Sequence, residues 1–436
     1  MIDIISTKET ARLADKLKRI RERSVAFDAG LMNQVAAIAE DVRTRGDAAL
    51  VDYARDFDGY SLDVAEIRID ESALRKSAAL VDREVLAALR EAIKRVRAFH
   101  EHEREREVSW LVEGPTDVML GQRVTPIERD GVYVPGGTAS YPSSVVMNIV
   151  PAQVAGVDRI VVATPPRALK ENPAVAAALI ELDVTEVYGI GGAQAIAALA
   201  YGTQTVPRVD KITGPGNRYV TAAKKLVFGM VGIDSLAGPS EVVVIADETA
   251  PARFVASDLL AQGEHSEDAS AVLVTTSHDL ALDVVGELAI QISHLPRSTI
   301  AAQSLCDFGA IIIVKDVDEG CCLVNELAPE HLEIMAVNEA AIAAKVRNAG
   351  AIFFGLHTPE AVGDYLAGPN HVLPTGGAAR FSSGLGVRDF LKHTNTVKFS
   401  DSELSKTAAT IATLARSEGL EAHARSALIR LEDSSQ

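Results

Sequence analysis

The amino-acid sequence predicts an α/β protein made of two doubly wound, Rossmann-like parallel-sheet units, with an N-terminal helical arm and a C-terminal helical tail. From about residue 124, short β-branched runs alternate with Ala-rich helical stretches, which is the pattern of parallel α/β sheets. These runs lie at residues 159–164, 186–190, 211–213, 241–246, 271–275, 310–314, 332–336 and 351–354. Eight strands over roughly two hundred residues fit two doubly wound units better than one.

Helical segments are predicted on both sides of this region. Residues 5–45 are predicted to be helical, and residues 84–106 form a clearer helix, because Leu89, Ile93 and Val96 recur at three- and four-residue steps. The tail after residue 386 is predicted to be two helices, at 401–417 and 418–433. The last helix has an apolar face with His423 at its edge.

Composition and charge restrict the class of partner. The 436 residues are enough for two to four domains. The net charge is −17 and no block of Lys and Arg stands out, which argues against nucleic acid or an anionic membrane as partner. No apolar run approaches a membrane span, and the N-terminus lacks the apolar core of a signal peptide. Three cysteines without a spaced framework indicate a reducing compartment, so we expect a cytoplasmic protein.

Three Gly-rich turns lie in the first predicted unit. They occupy residues 131–144, Gly189-Ile-Gly-Gly-Ala-Gln194 and Gly214-Pro-Gly-Asn217. Each places glycine between a strand and a helix N-terminus, where free N–H groups favour phosphate. The dinucleotide fingerprint is incomplete, because Gln194 stands where the third glycine belongs and no acidic residue follows at the expected distance. Ordinary tight turns therefore stay open as the alternative for each of them.

A candidate metal site starts from residues 258–265, where Gln262 and His265 stand three apart. If the segment is helical, both side chains project from one face. Two ligands are too few for a closed site, so further ligands must come from elsewhere in the fold. The candidates downstream are the pair Glu330-His331, Asp364 on a short helix and His423 near the C-terminus. Taken singly, each of them is also compatible with a surface polar group or a packing histidine.

Longer blocks of sequence carry a family resemblance. They are residues 132–144, Gly191-Gly-Ala-Gln-Ala195, Gly214-Pro-Gly-Asn217, Ala237-Gly-Pro-Ser-Glu-Val242, Ala261-Gln-Gly-Glu-His265, Pro329-Glu-His-Leu-Glu333, Gly363-Asp-Tyr365, Asn370-His-Val-Leu-Pro-Thr375 and Glu418-Gly-Leu-Glu-Ala-His423. In these blocks, from about residue 25 to the end, the chain resembles the histidinol dehydrogenase family. Two positions depart from the family pattern: Gly263 and Ser266 stand where the family usually has Ala and Asp.

The resemblance implies an activity and a set of site residues. The family oxidises L-histidinol through L-histidinal to L-histidine with two NAD, the last two steps of histidine biosynthesis, as a zinc-dependent dimer with a swapped C-terminal segment. By resemblance, one Zn²⁺ per subunit is held by Gln262, His265, Asp364 and His423, and Glu330 and His331 are the catalytic pair. The residues expected to contact the substrate are the four metal ligands together with His331, Ser240 and Glu418. The residues expected to contact NAD are Tyr133, Gln194 and Asn217.

The residue types suit this chemistry. His331 can take the hydroxyl proton of an alcohol near neutral pH, and Glu330 can deprotonate the water that must add to the aldehyde. The expected domains are a helical arm at 1–25, an α/β domain at 26–132 plus 240–385 with the metal and catalytic residues, an NAD-binding domain at 133–239, and a swapped segment at 386–436.

Three other functions remain open from the sequence. One is a relative of the same family that oxidises another small alcohol, such as a sulfonated diol. Another is a zinc hydrolase in which Glu330 activates metal-bound water, although that reading leaves the Gly-rich turns without a role. The third is a non-catalytic binding protein, which the intact set of candidate ligands and catalytic residues argues against.

Overall fold

The structure is a computed structural model that describes residues 2–23, 27–114, 118–136 and 141–432. Its strands, in chain order, are β1 (Asp3–Ser6), β2 (Trp110–Glu113), β3 (Met119–Pro126), β4 (Arg129–Tyr133), β5 (Arg159–Thr164), β6 (Val187–Gly189), β7 (Lys211–Thr213), β8 (Gly232–Ile233), β9 (Glu241–Ala246), β10 (Ser270–Thr275), β11 (Ala310–Ile313), β12 (His331–Met335), β13 (Ala351–Phe354) and β14 (Leu391–Lys398).

The helices, in the same order, are α1 (Thr10–Glu22), α2 (Ala29–Arg45), α3 (Asp47–Asp58), α4 (Glu71–Ala78), α5 (Arg83–Arg104), α6 (Pro142–Ala155), α7 (Pro166–Glu171), α8 (Pro173–Glu181), α9 (Gly192–Tyr201), α10 (Arg218–Val227), α11 (Ala252–Gly263), α12 (His278–Gln291), α13 (Ser298–Phe308), α14 (Val317–Leu327), α15 (Glu339–Ala343), α16 (Glu360–Tyr365), α17 (Asp401–Ser417) and α18 (Glu421–Glu432). Short 3₁₀ turns lie at Val64–Glu66, Ile292–His294, Ala378–Arg380 and Val387–Phe390.

Two parallel sheets form the centre of the molecule, as the sequence predicts. The six-stranded sheet has the order β1-β11-β10-β9-β12-β13, and the five-stranded sheet has the order β6-β5-β4-β7-β8. Each of the eight predicted runs forms one strand of these sheets. Most of their residues are apolar and buried, and many are β-branched, because helices cover both faces of a parallel sheet. The predicted α/β class is therefore confirmed.

Some strands have no clear signal in the sequence. Residues 5–45 are predicted to be entirely helical, yet β1 pairs with β11 as the edge of the six-stranded sheet. Four residues are too few to show a period. The central strand β4 contains Asp130 and Gly131, which look like turn residues. Asp130 is tolerated in the strand because its carboxylate accepts a hydrogen bond from Thr213. Glycine is favoured at position 131 because a Cβ there would lie only 3.0 Å from the Val209 side chain.

A three-stranded antiparallel sheet, β14-β3-β2, is the largest unpredicted feature. The tail after residue 386 is predicted to be helical, but β14 is a strand that pairs with β3 along its whole length. The side chains of β14 after its first residue are exposed on both faces, so no buried alternation marks it as a strand. The two predicted tail helices exist as α17 and α18, which pack on each other through Ala412, Ala415 and Ala424.

The domain boundaries stay a prediction, and the packing argues for one change in them. Helices α2 and α3 share a core with α9, α10 and the five-stranded sheet, and α5 packs on α6 beside the same sheet. Residues 29–104 thus cover the five-stranded sheet rather than the six-stranded one. The proposed arm boundary at 25–26 lies outside the described residues. None of the helices in the described segments combines the length and apolarity needed to cross a membrane.

Candidate active site

The candidate catalytic pair lies at the amino end of β12, beside the amino end of β9. Glu330 and His331 are both buried, and the backbone of Glu241 at the start of β9 holds both of them. The Glu241 N–H donates to Glu330 Oε2 at 3.0 Å. Nδ1 of His331 lies 3.2 Å from the Glu241 carbonyl oxygen. One residue of a neighbouring parallel strand therefore contacts both candidate catalytic side chains.

The surroundings of His331 decide which of its nitrogens is basic. A carbonyl oxygen can only accept, so Nδ1 carries the proton toward Glu241 and Nε2 keeps its lone pair. Nε2 faces Asp364, whose Oδ1 is 4.0 Å away. Burial lowers the pKa of His331 to about 3, so the imidazole is neutral near pH 7. Nε2 of His331 is thus unprotonated and is the ring nitrogen that can accept a proton.

A candidate metal centre lies beside this nitrogen. His265, Glu360 and Asp364 each direct a ligand atom into one cluster, with all of these atoms within 4.8 Å of one another. Gln262 is fully buried, and the amide orientation that satisfies its neighbours directs Nε2 to the Glu360 carboxylate oxygens at 3.0 and 3.2 Å. The expected shared helical face is wrong in one respect, because α11 ends at Gly263 and His265 follows it. The turn after the helix still delivers His265 to the cluster.

The sequence reasoning missed Glu360, which is buried in this cluster. A signal was available, because Glu360 and Asp364 are four residues apart on α16 and therefore on one helix face. His371 is a second missed residue. Its Nδ1 lies 3.1 Å from the Asp364 carbonyl oxygen and 3.8 Å from Oδ1, and burial lowers its pKa to about 4. His371 lies in the block at residues 370–375, which contributed to the family resemblance, but the sequence assigned no function to this histidine.

Buried negative charge dominates the electrostatics of the site. Burial raises the pKa of Glu330 and Glu360 well above the usual range and raises that of Asp364 as well. These carboxylates repel one another, and burial lowers the pKa of His265, which leaves its imidazole neutral. Such a set is costly to bury unless a cation compensates it. Neutral imidazole and carboxylate oxygen are donors that suit Zn²⁺.

A second carboxyl pair lies behind the cluster. Glu333 Oε1 accepts from the backbone N–H of Glu360 at 2.7 Å, which fixes the start of α16. Its other oxygen is buried without a hydrogen-bond partner among the described residues, and the nearby Asp258 carboxyl group affects its protonation. Burial, with the Asp258 charge, raises the pKa of Glu333 to about 9, whereas burial raises that of Asp258 to about 6. This pair supports the helix that carries Asp364.

The structure brings most of the expected substrate and metal residues together, but not those of the tail. Ser240 directly precedes Glu241, and its carbonyl oxygen accepts from the Ser270 N–H at 3.0 Å. Glu418, at the end of α17, and His423, on α18, are exposed. In the part of the chain that the structure describes, neither belongs to the cluster of His265, Glu360 and Asp364.

The two departures from the family pattern, Gly263 and Ser266, flank His265 in the chain but supply no atom to the cluster of His265, Glu360 and Asp364. A Cβ at Gly263 would make ordinary contact with the Ala301 carbonyl oxygen at 3.6 Å, so the glycine fills no special role. Ser266 donates to Asp268 at 2.5 Å.

The expected cofactor residues gather at the carboxyl edge of the five-stranded sheet. Tyr133 ends β4, and its hydroxyl accepts from the Gly192 N–H at 3.1 Å; burial raises its pKa to about 12. Gln194 lies buried in the first turn of α9. Asn217 caps α10 by accepting from the N–H of Tyr219 and Val220 at 3.0 and 3.2 Å. Residues 137–140 of the first Gly-rich turn lie outside the described residues.

The third Gly-rich turn has a special backbone. Gly214 has φ +103°, and a Cβ there would lie 2.1 Å from the Tyr133 carbonyl oxygen. Its N–H donates to Asp234 at 2.8 Å, and Asp234 pairs with the buried Lys224 at 2.6 Å. The strand order reverses between β4 and β7, so this turn lies where doubly wound sheets bind their ligands.

Two parallel sheets, glycine turns at the switch point of one and a carboxylate–histidine cluster beside the amino ends of β9 and β12 in the other define an α/β enzyme of the dehydrogenase class. The family profile described as histidinol dehydrogenase matches residues 21–431. The chain belongs to the histidinol dehydrogenase family.

Close relatives and a solved structure agree with this assignment. The chain is 50% identical to the histidinol dehydrogenase of Geobacillus kaustophilus over 96% of its length and 99% of that protein. It is 51% identical to the one from Halalkalibacterium halodurans, with 92% and 94% covered. The crystal structure of histidinol dehydrogenase from Elizabethkingia anophelis superposes with a TM-score of 0.90 at 35% identity, covering 97% of each chain.

Proposed function

We propose that this protein is a zinc- and NAD-dependent enzyme that oxidises L-histidinol through L-histidinal to L-histidine in a four-electron reaction. The observation that carries the proposal is the set of buried Gln262 and half-buried His265 and Asp364 beside the Nε2 of His331. Family membership supports the substrate. A biosynthetic enzyme of this kind draws on the NAD pool, so we propose the cytoplasm as its location.

Gln262, His265 and Asp364 supply three of the proposed zinc ligands, and His423 the fourth. The three from one chain are buried or half-buried and offer an amide oxygen, an imidazole nitrogen and a carboxylate oxygen. Glu360 accepts from the Gln262 amide nitrogen, which leaves the amide oxygen as the ligand atom. Zinc bound here would hold the imidazole and amine of the substrate.

His331 and Glu330 divide the proton transfers between them. In the alcohol step, Nε2 of neutral His331 takes the hydroxyl proton, while Nδ1–H remains bonded to the Glu241 carbonyl oxygen. In the aldehyde step, Glu330 takes a proton from the attacking water. The Glu241 N–H favours its carboxylate form. Burial of both groups excludes bulk water and protects the aldehyde between the steps.

NAD, when bound, accepts the hydride of each step. Tyr133, Gln194 and Asn217 are the proposed contacts, and the backbone of the Gly214 turn can approach a phosphate because it carries no side chain. The hydroxyl of Tyr133 already holds the Gly192 N–H, which fixes the turn before α9. These residues therefore shape the cofactor site as well as contact it.

We propose a homodimer in which the tail of one subunit completes the site of the other. Helices α17 and α18 pack mainly on each other, and they leave Leu414 and Ile429 exposed, as are Trp110 of β2 and Val397 of β14. Apolar surface on the helical tail and its supporting sheet indicates a partner surface. Glu418 and His423 are then the residues that a second copy adds to the substrate and metal site. Closed two-fold symmetry gives two equivalent sites.

The activity is tested by the NADH yield per L-histidinol. We expect two NADH for each substrate molecule consumed, and loss of turnover after treatment with a chelator, restored by added Zn²⁺. A sulfonated diol serves as the competing substrate. Faster oxidation of that diol, or one NADH per histidinol with histidinal as the end product, would contradict the proposal.

The shared site is tested by co-expressing two variants that are inactive alone, His265→Ala and His423→Ala. In a heterodimer one site collects both lesions and the other collects none. Random pairing should therefore restore roughly a quarter of wild-type activity. If His423 closed the site of its own chain, every site would keep a lesion and the mixture would stay inactive. Mixing the separately purified homodimers without subunit exchange is the control.

A further inference from the structure

A buried arginine connects the N-terminal arm to the catalytic pair. Arg23 directly follows α1, and its side chain is only 1% exposed. Nη2 donates to Glu241 Oε2 at 2.7 Å, and the remaining donors reach the carbonyl oxygens of Ile20 at 2.7 Å, Asp268 at 3.0 Å and Ser240 at 3.4 Å. A guanidinium whose three nitrogens all donate hydrogen bonds is held rigidly. Burying its charge costs free energy unless such partners compensate it.

Glu241 is held from two sides. Oε2 accepts from Arg23, and Oε1 accepts from the backbone N–H of Gly376 at 3.0 Å. Through its backbone, the same residue donates to Glu330 and accepts from His331. Any shift of the segment 240–241 therefore moves both catalytic side chains.

We propose that Arg23 is a positioning residue for the reaction, which clamps residues 240 and 241 from the N-terminal arm and so sets the geometry of Glu330 and His331. The inference rests on the proposed function, because the roles of Glu330 and His331 come from it. It adds a residue more than two hundred positions away in the chain to the set that the reaction needs.

The charge of Arg23 has a second effect on the site. Burial raises the pKa of Glu330, the charges of Glu241 and Asp364 raise it further, and Arg23 lowers it. Glu330 also faces His331, with 3.7 Å between Oε2 and Nδ1, and its charge acts on Glu360. Removing the arginine charge should raise the pKa of Glu330, whereas removing the Glu241 charge should lower it. We therefore expect the two substitutions to shift the acid limb of the pH–rate profile for histidinal oxidation in opposite directions.

The experiment compares Arg23→Met, Arg23→Lys and Glu241→Gln with the wild-type dimer. Arg19→Met is the matched control, because Arg19 lies on the same helix and pairs with Asp307 on the surface. Each protein is assayed for zinc content, melting temperature, and kcat and KM with histidinol and with histidinal across pH. The wild-type assay alone decides whether histidinol is oxidised at all, so failure of the proposed function is visible before any variant is compared.

We expect Arg23→Met to keep its zinc and its KM for histidinol within about threefold, and to lose roughly tenfold or more in kcat with histidinal at neutral pH. Its acid limb should move to higher pH, and that of Glu241→Gln to lower pH. Arg23→Lys should lose rate but keep the acid limb in place, since the charge remains. Arg19→Met should behave as wild type.

Three outcomes would overturn the inference. They are a histidinal rate for Arg23→Met within twofold of wild type, acid limbs that move in the same direction for Arg23→Met and Glu241→Gln, or an equal loss in Arg19→Met. If Arg23→Met does not fold, Arg23→Lys and Glu241→Gln decide alone. A wild-type histidinal rate in Arg23→Lys overturns the inference. So does an acid limb of the pH–rate profile that stays in place in Glu241→Gln.

Discussion

Replacing His265 by asparagine is expected to remove most of the bound zinc and to lower the rate of histidinol oxidation by roughly 100-fold or more. His265 directs its imidazole into the same cluster as Asp364 and Glu360, and burial lowers its pKa, so the neutral ring is ready to bind a cation at neutral pH. Asparagine is shorter and lacks the imidazole nitrogen. The remaining carboxylates then face one another without a complete ligand set.

Zinc content per subunit, measured on the purified variant by atomic emission, is the primary readout. His294→Asn is the matched control, because His294 is exposed and, in the described part of the chain, its Nδ1 contacts only neighbours in its own turn, the Ile290 carbonyl oxygen and the Ser293 hydroxyl. A His265→Asn protein that keeps one zinc per subunit would show that His265 is not a ligand. Added Zn²⁺ at high concentration should restore part of the lost rate, because the other ligands remain.

Glu330→Gln is expected to separate the two half-reactions. On the proposed roles, oxidation of histidinol to histidinal uses His331 rather than Glu330 as the base, so its rate should stay within about tenfold of wild type. Turnover of histidinal needs a base for water and should fall by roughly 10²- to 10⁴-fold. Glutamine preserves the shape of the site, since its amide oxygen can still accept from the Glu241 N–H. The loss is therefore one of proton transfer rather than of position.

Single-turnover assays with each substrate, and an aldehyde trap to detect released histidinal, measure the two steps separately. Glu326→Gln serves as the control, because it removes an exposed carboxylate of α14, a few residues before β12. Equal losses in both steps would refute the division of roles between Glu330 and His331. A wild-type histidinal rate would remove Glu330 from the reaction altogether.

The sequence alone determined the fold class and the family. Parallel-sheet strands such as β9 and β10 are continuous β-branched runs, and that composition is a local property of the chain. The motifs around His265, Glu330 and Asp364 are also local, so the resemblance could name the candidate ligands and the catalytic pair. β14 could not be found in this way, since an exposed polar strand is defined by its pairing with β3 and not by its own pattern.

Only the tertiary structure decided how these residues act on one another. Glu360 joins the cluster because α16 turns its inner face toward His265, and Arg23 reaches Glu241 across 218 positions of the chain. Burial sets the pKa of His331, and the Glu241 carbonyl oxygen leaves Nε2 as its basic nitrogen. Periodicity and spacing report neighbours along the chain, whereas desolvation and hydrogen-bond partners depend on segments that folding brings together from distant positions.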